Sequence, residues 1–306
     1  MLSGPVAVSN GSTLNVGGAG NTTFNGALTG GATTALTKDG SGTLALGTAN
    51  SGYTGTVTVG VGTLQANAAN ALSNANAITV NSGATFLANA ANALSTSGSV
   101  TNQSGGTLNL NGTASTLTGL FNNAGVLAFG TNGALTLSGS SGLLSGSITG
   151  SGTLTIGVGE TLTLGANFNA ANLNLVLAGG TLNLAGTTDT FGSLTISGNS
   201  VLDFGNSSAS ILNISSLSIA PSVSLTVNNW INAVDYFYDQ TNPGAQGNSP
   251  LNQITFTGGT YTNNDTKWQT YDNQITPAPE PATYGAMFVG LCAILVGWRR
   301  RKTVKA

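Results

Sequence analysis

The octapeptide Ala-Asn-Ala-Ala-Asn-Ala-Leu-Ser stands at residues 66–73 and again at 88–95, 22 residues further on. A literal repeat at that period confines the chain to architectures in which one small unit is copied and stacked, because such a unit cannot bury its apolar face alone. Around it, Gly-x-Leu and Gly-Thr-Leu segments place an apolar residue at Leu44, Leu64, Phe86, Leu108, Leu127, Leu154, Leu182 and Leu202. The interval widens between Leu127 and Leu182, where Leu135 and Leu162 add intermediate segments.

Within each unit the pattern alternates, as in TLAL (43–46), TVTV (56–59), TLNL (107–110), ALTL (134–137), TLTI (153–156), TLTL (161–164) and TLNL (181–184). Thr and aliphatic residues with period two, punctuated by Gly, Asn and Ser, predict short half-buried strands separated by turns. Strands recurring every ~20 residues, each coil stacking on the next at ~4.8 Å, predict an all-β parallel β-helix (β-solenoid) of roughly eleven coils and about 50 Å. An antiparallel sandwich uses similar turn signals but does not demand a near-constant period. Coil corners require positive φ or tight turns, which suits Gly and Asn, and stacked Asn side chains form hydrogen-bonded ladders. The glycines alternate with strand formers rather than clustering with serine, so they are turn residues and not a flexible linker.

Charge narrows the functional classes. Five of the seven basic residues, Arg299, Arg300, Arg301, Lys302 and Lys305, close the chain, leaving Lys38 and Lys267 against all nine carboxylates upstream. An acidic, arginine-free body cannot neutralise a phosphate backbone, which excludes nucleic acid as a partner. The one cysteine, Cys292, excludes an intramolecular disulfide framework and a multi-cysteine metal site. No cofactor is implied.

An enzyme built on a β-helix needs clustered carboxylates, usually with His, Arg or Lys beside them. The chain has no histidine and no arginine before Arg299, and Asp235 and Asp239 are its only close carboxylate pair. Glu160, Asp189 and Asp203 are dispersed along the repeat. The pair is expected to be a solvated loop feature rather than a catalytic dyad, so the chain is read as not an enzyme. From about Ala209 aromatic residues gather: Trp230, Trp268, Tyr236, Phe237, Tyr238, Tyr261 and Tyr271. Residues 1–208 are therefore the solenoid proper, and 209–275 its final coils and aromatic cap, needed because an open sheet edge invites pairing. Trp230 and Trp268 are also candidate glycan contacts, since indole faces stack on sugar rings; covering the end of the core is the commoner use.

Residues 276–306 differ from everything before them. A proline-rich collar precedes an uncharged stretch, 282–298, of about 25 Å as a helix, slightly short of a ~30 Å hydrocarbon core. Tyr284 and Trp298 bracket it at interfacial positions, and the basic tail 299–306 that follows would stay cytoplasmic, with the body on the other side. The Pro279-Glu280-Pro281 tripeptide, the apolar helix and the cluster Arg299, Arg300, Arg301, Lys302 together resemble the PEP-CTERM sorting domain. That resemblance implies an exosortase as partner, acting at Pro279, Glu280 and Pro281, and a membrane anchor that is transient if the tail is removed. Residues 36–66, with the Lys38–Gly42 turn, the Gly42-Thr43-Leu44 strand start, the Tyr53-Thr54-Gly55 turn and the closing Gly62-Thr63-Leu64, resemble the autotransporter-associated β-strand repeat. Residues 222–230 and 251–258 resemble the end region commonly joined to PEP-CTERM tails. These resemblances imply an exported, passenger-like stalk: a structural or adhesive surface protein associated with exopolysaccharide or biofilm matrix.

The first residues contain no charged segment, continuous apolar run or cleavage site of a secretory signal. The first strand expected, Ser12–Val16, reads like the interior of a repeat. Both points lead to the expectation that further residues, including an export signal, precede Met1.

Overall fold

The computed structural model describes residues 1–205, 209–257 and 266–277. Its strands are parallel, apart from one small hairpin near the end, and wind into a β-solenoid of about eleven turns. The only helical element among the described residues is the short 3-10 turn Leu251–Gln253. No helix there is long and apolar enough to cross a membrane, and the 282–298 segment expected to do so lies outside the described residues.

Two long sheets carry the solenoid. One holds twelve strands in order from Thr13–Val16 to Ile254–Phe256; the other holds eleven, running from Thr22–Phe24 to Ser216–Ile219. A third face becomes a regular four-stranded sheet only late, with Asn169–Ala170, Thr188–Phe191, Ile211–Ile214 and Tyr236–Asp239. The chain also forms an earlier strand than expected, Val6–Val8, paired with Leu28–Gly30.

Register explains the repeat. In the twelve-stranded sheet Leu14, Leu36, Val57, Ile78, Val100, Phe121, Gly142, Leu162, Leu182, Leu202, Val227 and Phe256 lie over one another in a single inward column. Successive members are 20 to 22 residues apart as far as Leu202, then 25 to Val227 and 29 to Phe256. From Leu36 onward every side chain of this column is buried, so removal of apolar surface from water holds the coils together as much as the ladder bonds do.

The Gly-x-Leu series is not one structural position. Leu44, Leu64, Phe86, Leu108 and Leu127 form an inward column of the eleven-stranded sheet. Leu182 and Leu202 belong to the other sheet, above Leu162. The change occurs at the 12-residue strand Val126–Leu137, whose first part covers Thr107–Asn109 and whose second part covers Ala114–Leu117, on the far side of a corner in the coil beneath. Gly130 and Asn132, both at positive φ, kink that strand without ending it, and the ladder to Ser147–Gly157 shifts register there. The widened interval is thus a merger of two faces.

The two copies of the octapeptide lie over one another, with Ala88 on Ala66. The predicted asparagine ladder runs beside them: Asn89 Nδ2 donates to Asn67 Oδ1 at 2.7 Å, and Asn111 Nδ2 to Asn89 Oδ1 at 2.8 Å. Asn70 and Asn92 take the left-handed conformation that the corner demands, at φ 59° and 51°.

Candidate functional site

The polar side chains that chemistry would need are turned inward and used on the backbone. In the corner-side inward column, Val16, Lys38, Val59, Val80, Asn102, Asn123 and Leu144 succeed one another. Lys38 is thus a buried member of an apolar row, and its Nζ donates to the carbonyls of Gly40 at 2.6 Å and Val61 at 3.2 Å, tying two successive corners together. Burial lowers its pKa, partly offset by the neighbouring Asp39 charge. Asn102 and Asn123 form the same kind of insertion, joined by an Nδ2–H···Oδ1 bond of 2.7 Å.

The expectation that Asp235 and Asp239 form a solvated loop pair is corrected: both are fully buried. Period two explains it, because Asp235, Phe237 and Asp239 alternate with outward-facing Tyr236 and Tyr238. Asp235 accepts the N–H of Ser210 at 2.9 Å and of Ile231 at 2.6 Å. Asp239 accepts the N–H of Leu217 at 3.2 Å and of Thr241 at 3.1 Å, and burial pushes its carboxyl up to about 6 against those two bonds.

The dispersed carboxylates repeat this use. Asp189, also fully buried, accepts the N–H of Phe168 and has the Thr187 hydroxyl oxygen 2.6 Å from its Oδ2; burial raises it to about 6. Glu160 accepts the N–H of Ser140 through Oε2 at 3.2 Å, while its buried Oε1 has no hydrogen-bond partner, and burial raises its pKa as well. Asp203 accepts from Gly205 N and Asn229 Nδ2. Four of these carboxylates, Glu160, Asp189, Asp235 and Asp239, reach back to an N–H of the preceding coil. They do for a corner what a backbone carbonyl does within a sheet.

The two tryptophans are placed differently from each other. Trp230, 2 % exposed, lies between Phe204 and Phe256 with edge-on contacts of 5.0 Å to each ring. Its face is covered by the core, so the glycan contact weighed for it is corrected in favour of the cap. Trp268 is half-buried in the antiparallel hairpin Thr266–Trp268 with Ile275–Pro277, and its Nε1 donates to Asp239 O at 3.0 Å. Of the sorting residues, Pro279, Glu280, Pro281, Arg299, Arg300, Arg301 and Lys302 all lie outside the described residues.

One concave surface lies away from the residues that the sequence singles out. A groove of about 410 Å³ crosses the C-terminal ends of the third-sheet strands, lined by Ala171, Thr190, Phe191, Asn213, Ile214, Ser215 and Gln240. Thr190, Asn213 and Tyr238 stack in one outward column of that sheet. Beside them Tyr236 and Tyr238 stack on each other, ring centroids 5.7 Å apart and planes 2° from parallel. The signal was present in Tyr-Phe-Tyr, where strand alternation sends the tyrosines out and the phenylalanine in. At its far end the groove meets the hairpin: Gln274 bridges to Tyr238, and Asn273 Nδ2 donates to Gln240 Oε1 at 3.3 Å.

Fold and side-chain use together define a β-solenoid whose buried carboxylates are committed to its corners among the described residues. Comparison of the chain with protein-family models, with curated proteins and with solved structures finds no match.

Proposed function

We propose that the chain is an exported, surface-displayed stalk with a structural or adhesive role, associated with exopolysaccharide or biofilm matrix. The observation that carries this reading is the inward column running in register from Leu14 to Phe256. Lys38, Glu160, Asp189, Asp235 and Asp239 serve that stack rather than a cleft. Such a chain invests in length and stiffness, the properties of a spacer that holds something away from a surface.

Delivery rests on the resemblance of residues 276–306 to the PEP-CTERM signal: Pro279, Glu280 and Pro281 are read by an exosortase, 282–298 holds the membrane, and Arg299 to Lys302 stop transfer. The test is expression in a host that has an exosortase, followed by mass spectrometry of surface material. Wild-type chain should be recovered without its basic tail, and Glu280→Ala should be retained in the membrane with the tail intact. Surface material that keeps Arg299–Arg301 would exclude cleavage and leave a permanent tail anchor.

A further inference from the structure

We propose that the groove over the third sheet binds an uncharged oligosaccharide chain lying along the solenoid axis, with one sugar ring against Tyr238. The proposal deepens the adhesive half of the reading above by giving the stalk a ligand class.

Three observations carry it. The groove is mostly apolar, with Ala171, Phe191 and Ile214 in its lining, and Thr190, Asn213, Ser215 and Gln240 add hydroxyl and amide groups from successive coils stacked at ~4.8 Å, a mixture that suits the apolar ring faces and hydroxyl edges of a sugar chain. A linear polymer that repeats its own hydroxyls meets those groups in turn, and both partners donate as well as accept. Second, the stacked tyrosines form a ring platform held in place before any ligand arrives, which lowers the ordering cost of binding. Tyr238 stands directly over the lining residue Asn213 in the outward column, so this platform borders the groove. Third, none of the groove's lining residues is ionisable. Burial, Tyr236 and Asp272 together hold the Tyr238 hydroxyl above its ordinary pKa, and the Asp272 charge would repel uronates.

A peptide fits less well. Ile211–Ile214 is already paired on both sides, with Thr188–Phe191 and Tyr236–Asp239, so it offers no strand edge for β-addition.

The test is calorimetric titration of the full chain with cellohexaose, laminarihexaose, mannohexaose and, as the charged contrast, tetragalacturonate. At least one neutral sugar should bind, and tetragalacturonate should not. Tyr238→Ala should weaken the binding about tenfold and Gln240→Ala about threefold, the magnitude of losing one stacking or one hydrogen-bonding contact. Tyr271→Ala, at a residue 81 % exposed and outside the groove lining, should change nothing. Should Tyr238→Ala fail to fold by circular dichroism, the exposed Gln240 decides. The proposal is overturned if no neutral hexasaccharide binds, if binding survives these groove variants unchanged, or if tetragalacturonate binds best. A failed titration leaves export and sorting untouched, and a failure of sorting leaves the titration untouched.

Discussion

Thr187 has one hydroxyl proton, yet its oxygen lies within hydrogen-bond reach of both Leu184 O and Asp189 Oδ2, at 2.5 and 2.6 Å. Both contacts are satisfied together when Asp189 is protonated and donates to Thr187, which then donates to Leu184. Burial raises this carboxyl to about 6, which favours its protonated form in the fold. Folded Asp189 and Asp239 therefore keep protons that the unfolded chain releases near 3.8. Their contribution is full below that value and is lost as pH rises through about 6, and the raised pKa of Glu160 acts in the same direction. Urea unfolding should accordingly show the solenoid more stable at pH 4 than at pH 7. Asp189→Asn, whose amide donates to Thr187 at every pH, should flatten that slope and raise stability at pH 7 by on the order of 2 kcal/mol. A slope unchanged in the variant would show that Asp189 does not hold the proton. The sequence named every carboxylate involved, though not Thr187, and misplaced Asp235 and Asp239, since they were weighed as a pair four apart rather than as alternate members of an extended run. Which backbone N–H a side chain serves depends on the coil beneath, and sequence spacing does not specify that partner.

Strands and corners were largely legible, because alternation of Thr with Leu or Val is the burial pattern of a half-buried strand and the left-handed corners chose Asn and Gly. The merger at Val126–Leu137 was hidden because Gly-Thr-Asn-Gly, 130–133, carries a turn signature and instead kinks a continuing strand. Some glycines answer to stacking rather than to turn geometry. A Cβ on Gly146 would stand 1.8 Å from Gly125 O, and one on Gly125 would stand 2.3 Å from Gly106 O, so three successive corners touch backbone to backbone. Gly146→Ala must push two coils apart and should cost about 3 kcal/mol or more, the upper range for overpacking. Gly4→Ala, where a Cβ meets nothing within 4 Å, should cost almost nothing. Equal midpoints for the two variants in urea would refute the close corner packing.

At the scale of the molecule, the 22-residue repeat was enough to predict the solenoid, its turn count and its asparagine ladder, because a period fixed by register survives drift in individual residues. It did not reveal the groove, which lies where the third face becomes a regular sheet and brings Thr190, Asn213 and Gln240 together from separate coils. The ladder bonds of every coil point along the long axis, so a pull on the two ends loads them in tension, and coils should peel off singly. Each release would free about 21 residues, roughly 70 Å of extended chain. Single-molecule stretching should therefore give a sawtooth with steps of that length, whereas one cooperative rupture would contradict the picture. A solenoid built this way should resist as a stiff rod at low load and beyond its threshold pay out slack, dissipating work at each tooth while its remaining coils stay stacked.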